Sequence, residues 1–420
     1  MKRSGPFVVA IGFIAYVSAV TQRSSMGVAS LAATAKFHTT AEQLSALAVA
    51  QLVMYAAMQI PVGLMLDRFG ARKVLTLGAV SMSLGQFIVA FSPTLEMAVA
   101  GRMLVGFGDA FTFISLIRIV NTYYDGPRAS QLQQWLGNSG QIGQIISAVP
   151  FAFVLREAGW IQAFSLWATI AAILACCCWV FLLDPPANST AQHGGIRQRL
   201  ADLRDAVKKP SARMAFWTHW MTQSSTNALV LLWGIPFLEA GEGLPADQAK
   251  FLLSLFVIIG IVFGFAFGQL CAFRPHLRKP LLTATTSTVL LAWAVLIAYP
   301  GKAPMWLLAS WVVIVAINAP ASMVALDYTR QYVDKKILGS VNGFVNIGGF
   351  SAGLSMMFVI GVVLDLYYNI AGKGLGLQLY SLNGFRLAFI AVILIVGLGL
   401  VLYRYSEAQT RKTEDLGRKP

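Results

Sequence analysis

Long, uninterrupted apolar runs dominate the chain and restrict what it can fold into. A bilayer-spanning α-helix needs about 20 consecutive apolar residues, and most of the runs reach that length. The runs are continuous rather than alternating, which excludes the strands of a transmembrane β-barrel. Cut at charges and at Gly/Pro turns, they predict twelve transmembrane helices, near residues 6–31, 42–66, 74–92, 96–121, 131–155, 161–183, 213–238, 249–272, 281–299, 304–328, 338–365 and 385–404.

The composition excludes several classes of protein. Of the 420 residues, 57% are hydrophobic and only 12% are charged, whereas about a quarter of the residues in a soluble domain are charged. Little sequence is left for a soluble enzyme or a nucleic-acid-binding domain. The net charge of +14, which would suggest nucleic-acid binding in a soluble protein, does not change this. Cys176, Cys177 and Cys178 are consecutive in one apolar run and Cys271 ends another, unlike the spaced ligands of a zinc site or a disulfide framework. We expect no metal, no cofactor and no nucleic-acid partner.

The distribution of basic residues predicts the orientation in the membrane. Most of the 32 Lys and Arg residues lie in alternate connecting segments and at the two termini. Basic residues are retained on the cytoplasmic side of a membrane. We therefore expect a multi-pass protein of the plasma (inner) membrane with both termini in the cytoplasm. The loops expected outside hold few cations: Lys36, Arg156, Lys250, Lys302 and Lys373.

The longest loop divides the predicted helices into six and six. Asn138-x-Gly140 in predicted helix 5 has a counterpart, Asn346-x-Gly348, in predicted helix 11. Such internal similarity indicates parallel repeats, so the two bundles are expected to be pseudo-symmetric. The predicted domains are an N-terminal six-helix bundle (1–183), a cytoplasmic linker with an amphipathic helix (184–212), a C-terminal six-helix bundle (213–405) and a cytoplasmic tail (406–420).

A motif of two glycines, one acid and three basic residues begins at the end of predicted helix 2. Its residues are Gly63, Asp67, Arg68, Gly70, Arg72 and Lys73. It resembles the signature of the major facilitator superfamily, and with the twelve helices the resemblance covers essentially the whole chain. The resemblance implies two six-helix bundles and secondary transport of a solute by alternating access. It also implies that Asp67 lies near the start of predicted helix 11, around Gly339 and Ser340. An anion at a helix N-terminus is stabilised by about 0.3–1 kcal/mol. The equivalent stretch after predicted helix 8 has Ala272 or Phe273 in place of the acid.

Three ionisable residues within predicted spans are functional candidates: Arg23, past the middle of helix 1, Asp109, near the midpoint of helix 4, and Arg102, seven residues before it. An ionisable group near the bilayer centre costs about 2.5–3.5 kcal/mol on insertion scales. Arg102 and Asp109 are seven residues apart, nearly two turns, and so share one helix face. A further cation, Arg118, is expected to face elsewhere and to reach towards the cytoplasm.

This pattern resembles the organic anion–cation symporters of the superfamily. The resemblance implies that Arg23 meets the anionic group of the substrate and that Asp109, with Arg102, handles protons. In those symporters the residue before the first Arg is usually Asp, and here it is Gln22. Anion recognition is therefore better supported than proton coupling. The alternative is a structural pair, Arg102–Asp109 or Arg23–Asp109, that only holds two helices together.

Uncharged polar residues supply further candidates for substrate binding. Within predicted helix 7, His219, Gln223 and Asn227 recur every four residues and so form one row. For any single member the alternative is an interhelical hydrogen bond, worth about 0.6 kcal/mol on average. The full set of candidates besides Arg23 is Tyr16, Gln51, Tyr55, Asn138, Gln141, His219, Gln223, Asn227, Asn318 and Asn346.

The main functional prediction is a secondary transporter, a monomer in the bilayer, that moves a small polar, anionic organic solute, with protons as a candidate coupling ion. The alternatives are a drug or metabolite efflux antiporter, a uniporter, a nitrate-type anion porter and a transport-dead sensor. A membrane-embedded enzyme is not expected, because the histidines lie in different segments and form no cluster with a nucleophile. The chain also lacks a phosphate-binding loop for ATP-driven pumping.

Overall fold

The computed structural model describes residues 5–38, 41–182, 196–372, 374 and 380–417. Nearly all of this part is helical and none of it forms a strand, which confirms the all-α prediction. The helices are α1 Gly5–Val28, α2 Ser30–Phe37, α3 Ala41–Phe91, α4 Leu95–Tyr123, α5 Gly126–Ile146, α6 Ala152–Ala158, α7 Trp160–Phe181, α8 Ile196–Lys208, α9 Pro210–Ala228, α10 Gly234–Pro236, α11 Ala246–Phe273, α12 Arg278–Ala298, α13 Met305–Ala321, α14 Val324–Tyr332, α15 Leu338–Tyr367 and α16 Leu382–Gly417.

All twelve predicted runs are helical, but they are divided differently along the chain. Predicted helices 2 and 3 are joined in α3 across a kink at Gly70, where φ is 82°. A positive φ of this size favours glycine, which carries no Cβ. Predicted helices 5 and 7 contain π-helical turns, at Ser147–Phe151 and at Leu229–Trp233 and Phe237–Gly241.

Nine helices in the described ranges are long and apolar enough to cross a membrane. One of them, Ala50–Phe91, contains both the second and the third predicted runs. The fifth and seventh runs, in α5 and α9, are not among the nine, because these helices are rich in Gln, Ser and Thr. The more polar helices are thus those that carry several of the predicted site residues.

The chain forms two compact units. The first unit comprises Met1–Asp205 and Asp334–Phe344, and the second comprises Ala206–Val333 and Val345–Pro420. In the first unit, Phe164 lies in a buried aromatic contact with Phe151, at 5.2 Å between ring centroids. In the second unit, Trp293 lies 4.8 Å from both Trp311 and Phe389. The predicted bundle boundaries (1–183 and 213–405) stay predictions.

The linker and the C-terminus contain more helix than loop. Residues 184–195 of the predicted linker lie outside the described residues, and the remainder contains α8, which buries Leu203 and Ala206 and exposes Arg204. Helix α16 continues to Gly417, beyond the predicted end of helix 12 at residue 404. No Gly or Pro occurs between Ser406 and Asp415 to stop it. Within that extension Ser406, Glu407 and Thr410 are buried.

Candidate functional site

An ion pair joins the C-terminal part of α1 to the middle of α4 in the first unit. The Nε and Nη2 atoms of Arg23 donate to the two carboxylate oxygens of Asp109, at 2.6 and 2.9 Å. This is the paired geometry that a planar guanidinium favours with a carboxylate. Asp109 is fully buried, whereas 20% of the Arg23 side chain stays exposed. Arg23 is therefore the member of the pair that a ligand can reach.

Two tyrosines hold the Arg23 guanidinium in place. Its Cζ atom lies 4.6 Å from the centre of the Tyr55 ring, a cation–π contact. The Tyr16 hydroxyl lies near the same guanidinium, and the Tyr16 ring packs 5.5 Å from that of Phe113. The hydroxyl also faces α5, because a Cβ added at Gly140 would lie 3.3 Å from it. Sequence analysis selected both tyrosines, and the structure brings both to Arg23.

Arg102 is a second, fully buried cation in the first unit. Its Nη2 atom donates to the carbonyl oxygen of Arg23 at 2.9 Å and also to Oε1 of Gln51. Its Nη1 atom donates to the carbonyl oxygen of Gln22 at 3.1 Å and to Oγ of Ser25 at 3.3 Å. Arg102 thus ties α4 to α1 and α3, and it makes no hydrogen bond to Asp109. The centre, which we define as Arg23, Arg102 and Asp109, holds two guanidiniums and one carboxylate.

Glycines allow the helices around this centre to approach closely. A Cβ added at Gly106 on α4 would clash with the carbonyl oxygen of Gln51 on α3. A Cβ added at Gly143 on α5 would lie 2.7 Å from the carbonyl oxygen of Val17, and Thr21 donates a hydrogen bond to the carbonyl oxygen of Gly143 at 3.0 Å. Small residues commonly permit such contacts in membranes. They bring α4 close to α3 and α5 close to α1, the helix that carries Arg23.

The other candidates of the first unit lie on α5. Asn138 is buried. Gln141 is half-buried, and its Oε1 atom is buried without a hydrogen-bond partner in the part of the chain that the structure describes. Since α5 contacts α1 through Gly140 and Gly143, both side chains belong to the same unit as Arg23.

In the second unit the row His219, Gln223 and Asn227 packs against α15. The His219 ring lies 3.5 Å from the carbonyl oxygen of Ser322, measured at Nδ1, and interacts with the Asn346 side chain. A Cβ added at Gly349 would meet His219 and Gln223, and one added at Gly353 would meet Asn227. The row is therefore a helix–helix contact along much of its length, with Gln223 and Asn227 half-buried.

Asn318, on α13, is fully buried in a hydrogen-bonded contact within the second unit. Its Nδ2 atom donates to the carbonyl oxygen of Met221 at 3.4 Å, and the Thr286 hydroxyl donates to its Oδ1 atom at 3.4 Å. These bonds join α13 to α9 and α12. The substrate-binding roles of Asn318 and of the other polar candidates stay predictions.

The carboxylate of Asp67 lies at the first turn of α15, as the family resemblance implies. It accepts hydrogen bonds from the backbone nitrogens of Gly339 and Ser340, at 3.0 and 2.8 Å, and from the Ser340 hydroxyl at 2.6 Å. A Cβ added at Gly63 would lie 2.6 Å from the carbonyl oxygen of Gly339, so only glycine permits this approach without a shift. Residues 334–344 belong to the first unit, so the whole contact lies within that unit.

The basic residues of the motif point to different surroundings. The Nε atom of Arg72 donates to the carbonyl oxygen of Trp179 at 2.7 Å, and its Cζ atom lies 4.4 Å from the centre of the Trp179 ring. Arg68 and Lys73 are exposed. Arg72 therefore joins the motif to α7, while Arg68 and Lys73 remain at the surface.

Sequence analysis missed the role of Arg118. Its Nη1 atom lies 3.3 Å from Oδ1 of Asp67 and 3.2 Å from the carbonyl oxygen of Lys335. Arg118 thus belongs to the Asp67 contact. A cation towards the C-terminal end of predicted helix 4, near a motif with a buried acid, was the signal that could have found it.

In the second unit, the ion pair that corresponds to the Asp67–Arg118 pair joins α12 to α14. Arg278, at the start of α12, lies 3.4 Å from Asp327 on α14, and Arg330 lies 2.8 Å from the same carboxylate. No acid occupies position 272 or 273. The missing acid of the second motif is therefore matched by an acid on another helix.

Glu242, which follows the last π-helical turn before α11, is buried outside the spanning helices. Its Oε2 atom accepts a hydrogen bond from the backbone nitrogen of Ala303 at 2.8 Å. Burial raises the pKa of the Glu242 carboxyl, while that hydrogen bond and the charges of Arg386 and Lys302 act in the opposite direction. Arg386 itself donates to the carbonyl oxygens of Tyr299 and Gly301.

Comparison with known proteins places the chain among membrane transporters. It is 25% identical over 392 residues to the probable sulfoacetate transporter SauU of Cupriavidus necator, covering 87% of this chain and 89% of that protein. It is 28% identical over 190 residues to the probable galactarate/D-glucarate transporter GarP of Escherichia coli, covering 42% of each chain.

Solved structures show the same fold. The structure of the E. coli fucose:proton symporter FucP matches with a TM-score of 0.72 at 14% identity, over 96% of this chain and 99% of that one. A bacterial homologue of the human lysosomal transporter Spinster matches with a TM-score of 0.62 at 15% identity, over 98% of each chain. The family model of the Major Facilitator Superfamily matches residues 12–357. The chain belongs to the major facilitator superfamily and is a multi-pass membrane transporter of a solute, not an enzyme.

Proposed function

We propose that this transporter carries a small organic anion, that Arg23 binds the anionic group, and that Asp109 couples transport to protons. The observation that carries the proposal is the charge of the centre. The centre holds two guanidiniums and one fully buried carboxylate, which is paired with Arg23, and of the two guanidiniums only that of Arg23 is partly exposed. A buried excess of positive charge attracts an anion, because an uncompensated charge in a membrane-embedded site is costly.

The geometry of the ion pair suggests how substrate and proton are linked. An arriving carboxylate competes with Asp109 for the same two donors of Arg23, because both require its planar fork. Asp109 would then be a fully buried carboxylate that has lost its partner. Taking up a proton relieves that cost. Substrate and proton are thereby coupled without touching each other.

The relatives support the class of substrate. The names of SauU and GarP specify sulfoacetate, galactarate and D-glucarate, all organic anions, and the structural neighbour FucP is named a proton symporter. We extend the anionic class and the proton to this chain as parts of the proposal.

Transport by purified protein in proteoliposomes tests the proposal. We expect Arg23→Lys to lose most of its substrate affinity, because an ammonium lacks the paired donors. We expect Asp109→Asn to keep binding and exchange and to lose accumulation driven by a pH gradient. Arg156→Lys and Glu157→Gln, in an exposed ion pair, are matched controls and should behave like the wild type. Accumulation by Asp109→Asn when only pH drives it would exclude Asp109 as the coupling site, and His219 would be tested next.

The orientation is part of the same proposal. Both termini and the loop before α9 are expected in the cytoplasm of a cell whose plasma (inner) membrane holds the protein. A cysteine placed at Ser189, which lies outside the described residues, should resist a membrane-impermeant reagent added outside intact cells. Ready labelling there would reverse the orientation.

A further inference from the structure

A small cavity lies inside the first unit, between α1, α3, α4 and α7. Its volume is about 10 Å³, which is room for one water molecule. Alanines and other apolar side chains form most of its wall, with Ala79 on α3 and Ala171 on α7 among them. Its polar part consists of Ser18 and Gln22 on α1 and Thr112 on α4. The cavity thus combines the size of a water site with polar groups from two helices.

The Gln22 side chain carries a polar atom that lacks a partner within the described ranges. The residue is 1% exposed, and its Oε1 atom is buried without a hydrogen-bond partner there. Its Nε2 atom donates to Oγ of Ser18 at 3.1 Å, so the amide end of Gln22 lies beside another residue of the cavity wall. A buried amide oxygen without a donor destabilises the folded state. Gln22 therefore indicates a ligand that donates a hydrogen bond.

The other two polar residues can complete the site. The Thr112 hydroxyl donates to the backbone carbonyl oxygen of Asp109 at 2.8 Å, so towards a ligand its oxygen acts as an acceptor. The Ser18 hydroxyl accepts from Gln22, and its own proton can be donated to a ligand. The cavity wall therefore offers two acceptors and one donor. This set matches water, which typically makes about three hydrogen bonds when it is buried in a protein.

An ion does not fit these surroundings. An anion would face the two acceptors, Gln22 and Thr112. A cation would lie near a centre with an excess of positive charge, because Arg23 follows Gln22 directly and Arg102 donates to the Gln22 carbonyl oxygen at 3.1 Å. Among the described residues that line the cavity, none carries a carboxylate, the group from which protein sites for hard cations are largely built. A neutral ligand of this size that both donates and accepts is water.

We propose that this cavity is a binding site for one ordered water molecule. The water donates to Oε1 of Gln22 and to Oγ1 of Thr112, and it accepts from the Ser18 hydroxyl. It thereby bridges α1 and α4, the two helices that carry Arg23 and Asp109. The site does not depend on which solute the protein transports, because none of its three polar residues belongs to the centre.

A structure of the full-length protein at a resolution that shows ordered water is the direct test. We expect a density peak within hydrogen-bonding distance of the Gln22 amide and of the Ser18 and Thr112 hydroxyls. Gln22→Met, a neutral change of similar size, should lose the peak, because the site then lacks its unpartnered acceptor. In the wild type, the absence of a peak beside an ordered Gln22, or a peak with the ligand number of a metal ion, would overturn the proposal.

A double-mutant cycle tests the site by stability. Ala79→Val adds two methyl groups at the cavity and should displace the water, which leaves Gln22 without a donor. In Gln22→Met no amide is left unpaired, so the same change should be less destabilising. We expect Ala79→Val to lower the melting temperature by about 2 °C more, or by a larger margin, in the wild type than in Gln22→Met.

The matched control is Ala90→Val, on the same helix but in the apolar cluster that contains Phe164. It should lower the melting temperature equally in both backgrounds. Equal effects of Ala79→Val in the two backgrounds would overturn the proposal, because a dry cavity leaves Gln22 unpaired before and after the change. A background dependence shared by Ala90→Val would overturn it as well, since the difference would then not come from the cavity. If Ala79→Val fails to fold, the wild-type structure decides the question.

Discussion

The middle of the first unit is charged, and the middle of the second is neutral. In the first, Arg23 on α1 is paired with Asp109 on α4, and the buried Arg102 donates to the carbonyl oxygen of Arg23. In the second, where α9 and α13 correspond to α1 and α4, the polar groups are His219 and Asn318. A charge near the bilayer centre costs several times as much as a neutral interhelical hydrogen bond contributes. The more costly side chains are concentrated in one unit, and this is the unit to which the proposed function assigns the anion.

A second contrast concerns the motif after the second span of each unit. In the first unit the acid, Asp67, lies in the motif and the cation, Arg118, lies on α4. In the second unit the cation, Arg278, lies at the motif position and the acid, Asp327, lies on α14. The two repeats keep a cross-helix ion pair and exchange the signs. A pair of opposite charges attracts equally in either order, so packing alone permits the exchange, but only an acid in the motif can bind the start of a helix.

The largest expected effect tests the difference between the charged centre of the first unit and the neutral polar groups of the second unit. Arg102→Ala should destabilise the protein by about 3–5 kcal/mol, because two carbonyl oxygens of α1 and the Gln51 amide lose a buried partner. Asn318→Ala, the matched change in the second unit, should cost about 1 kcal/mol. Thermal unfolding in the same detergent measures both. Equal losses would show that the second unit depends on its neutral contacts as strongly as the first depends on its charges.

A smaller effect tests the two motifs. Asp67→Ala should reduce the transport rate by about tenfold while leaving substrate affinity nearly unchanged. The lost hydrogen bonds to Gly339 and Ser340 bias a conformational equilibrium and do not touch the substrate. Asp327→Ala removes the ion pairs to Arg278 and Arg330, and it should slow transport less. Initial rates and binding constants of the two variants provide the comparison, and an unchanged rate for Asp67→Ala at normal expression would remove its gating role.

The smallest effect concerns Glu242. A carboxyl whose pKa is raised in the folded state favours folding at low pH, and this contribution is lost as the pH rises through the raised value. Stability of the wild type should therefore fall relative to Glu242→Gln as the pH increases from about 4 towards neutrality. Melting curves of both proteins across that range measure the difference. Parallel curves would contradict the contribution of burial, and a wild type that gains stability relative to Glu242→Gln as the pH rises would show that the charges of Arg386 and Lys302 outweigh it.

The sequence predicts the twelve helical runs because apolar length is a local property. It also places Arg23 and Asp109 on neighbouring helices, but it leaves open whether Arg23 or Arg102 binds the acid. The seven-residue spacing shows that Arg102 and Asp109 share one face of helix 4. It does not show which neighbouring helix that face contacts. The partners of Arg102 include the carbonyl oxygens of Gln22 and Arg23, and a backbone acceptor has no signature in sequence.

Other differences arise where a local rule competes with packing. The backbone leaves the helical conformation at Gly70, with φ 82° and ψ 170°, so the two predicted helices within α3 remain distinct on either side of it. Arg118 is expected to reach towards the cytoplasm, and its partner there is Asp67, in the motif on α3. The contact of Asp67 with Ser340 was expected only through the family resemblance, because the two residues are 273 positions apart.

That separation has a consequence for how the protein is made. Chains are synthesised and inserted from the N-terminus. Asp67 is synthesised among the early residues, but the backbone nitrogens that it binds, at Gly339 and Ser340, follow 272 and 273 positions later. The first unit therefore cannot be completed while only the first half of the chain has left the ribosome. A nascent chain that ends after α7 would hold the Asp67 carboxylate without these two donors.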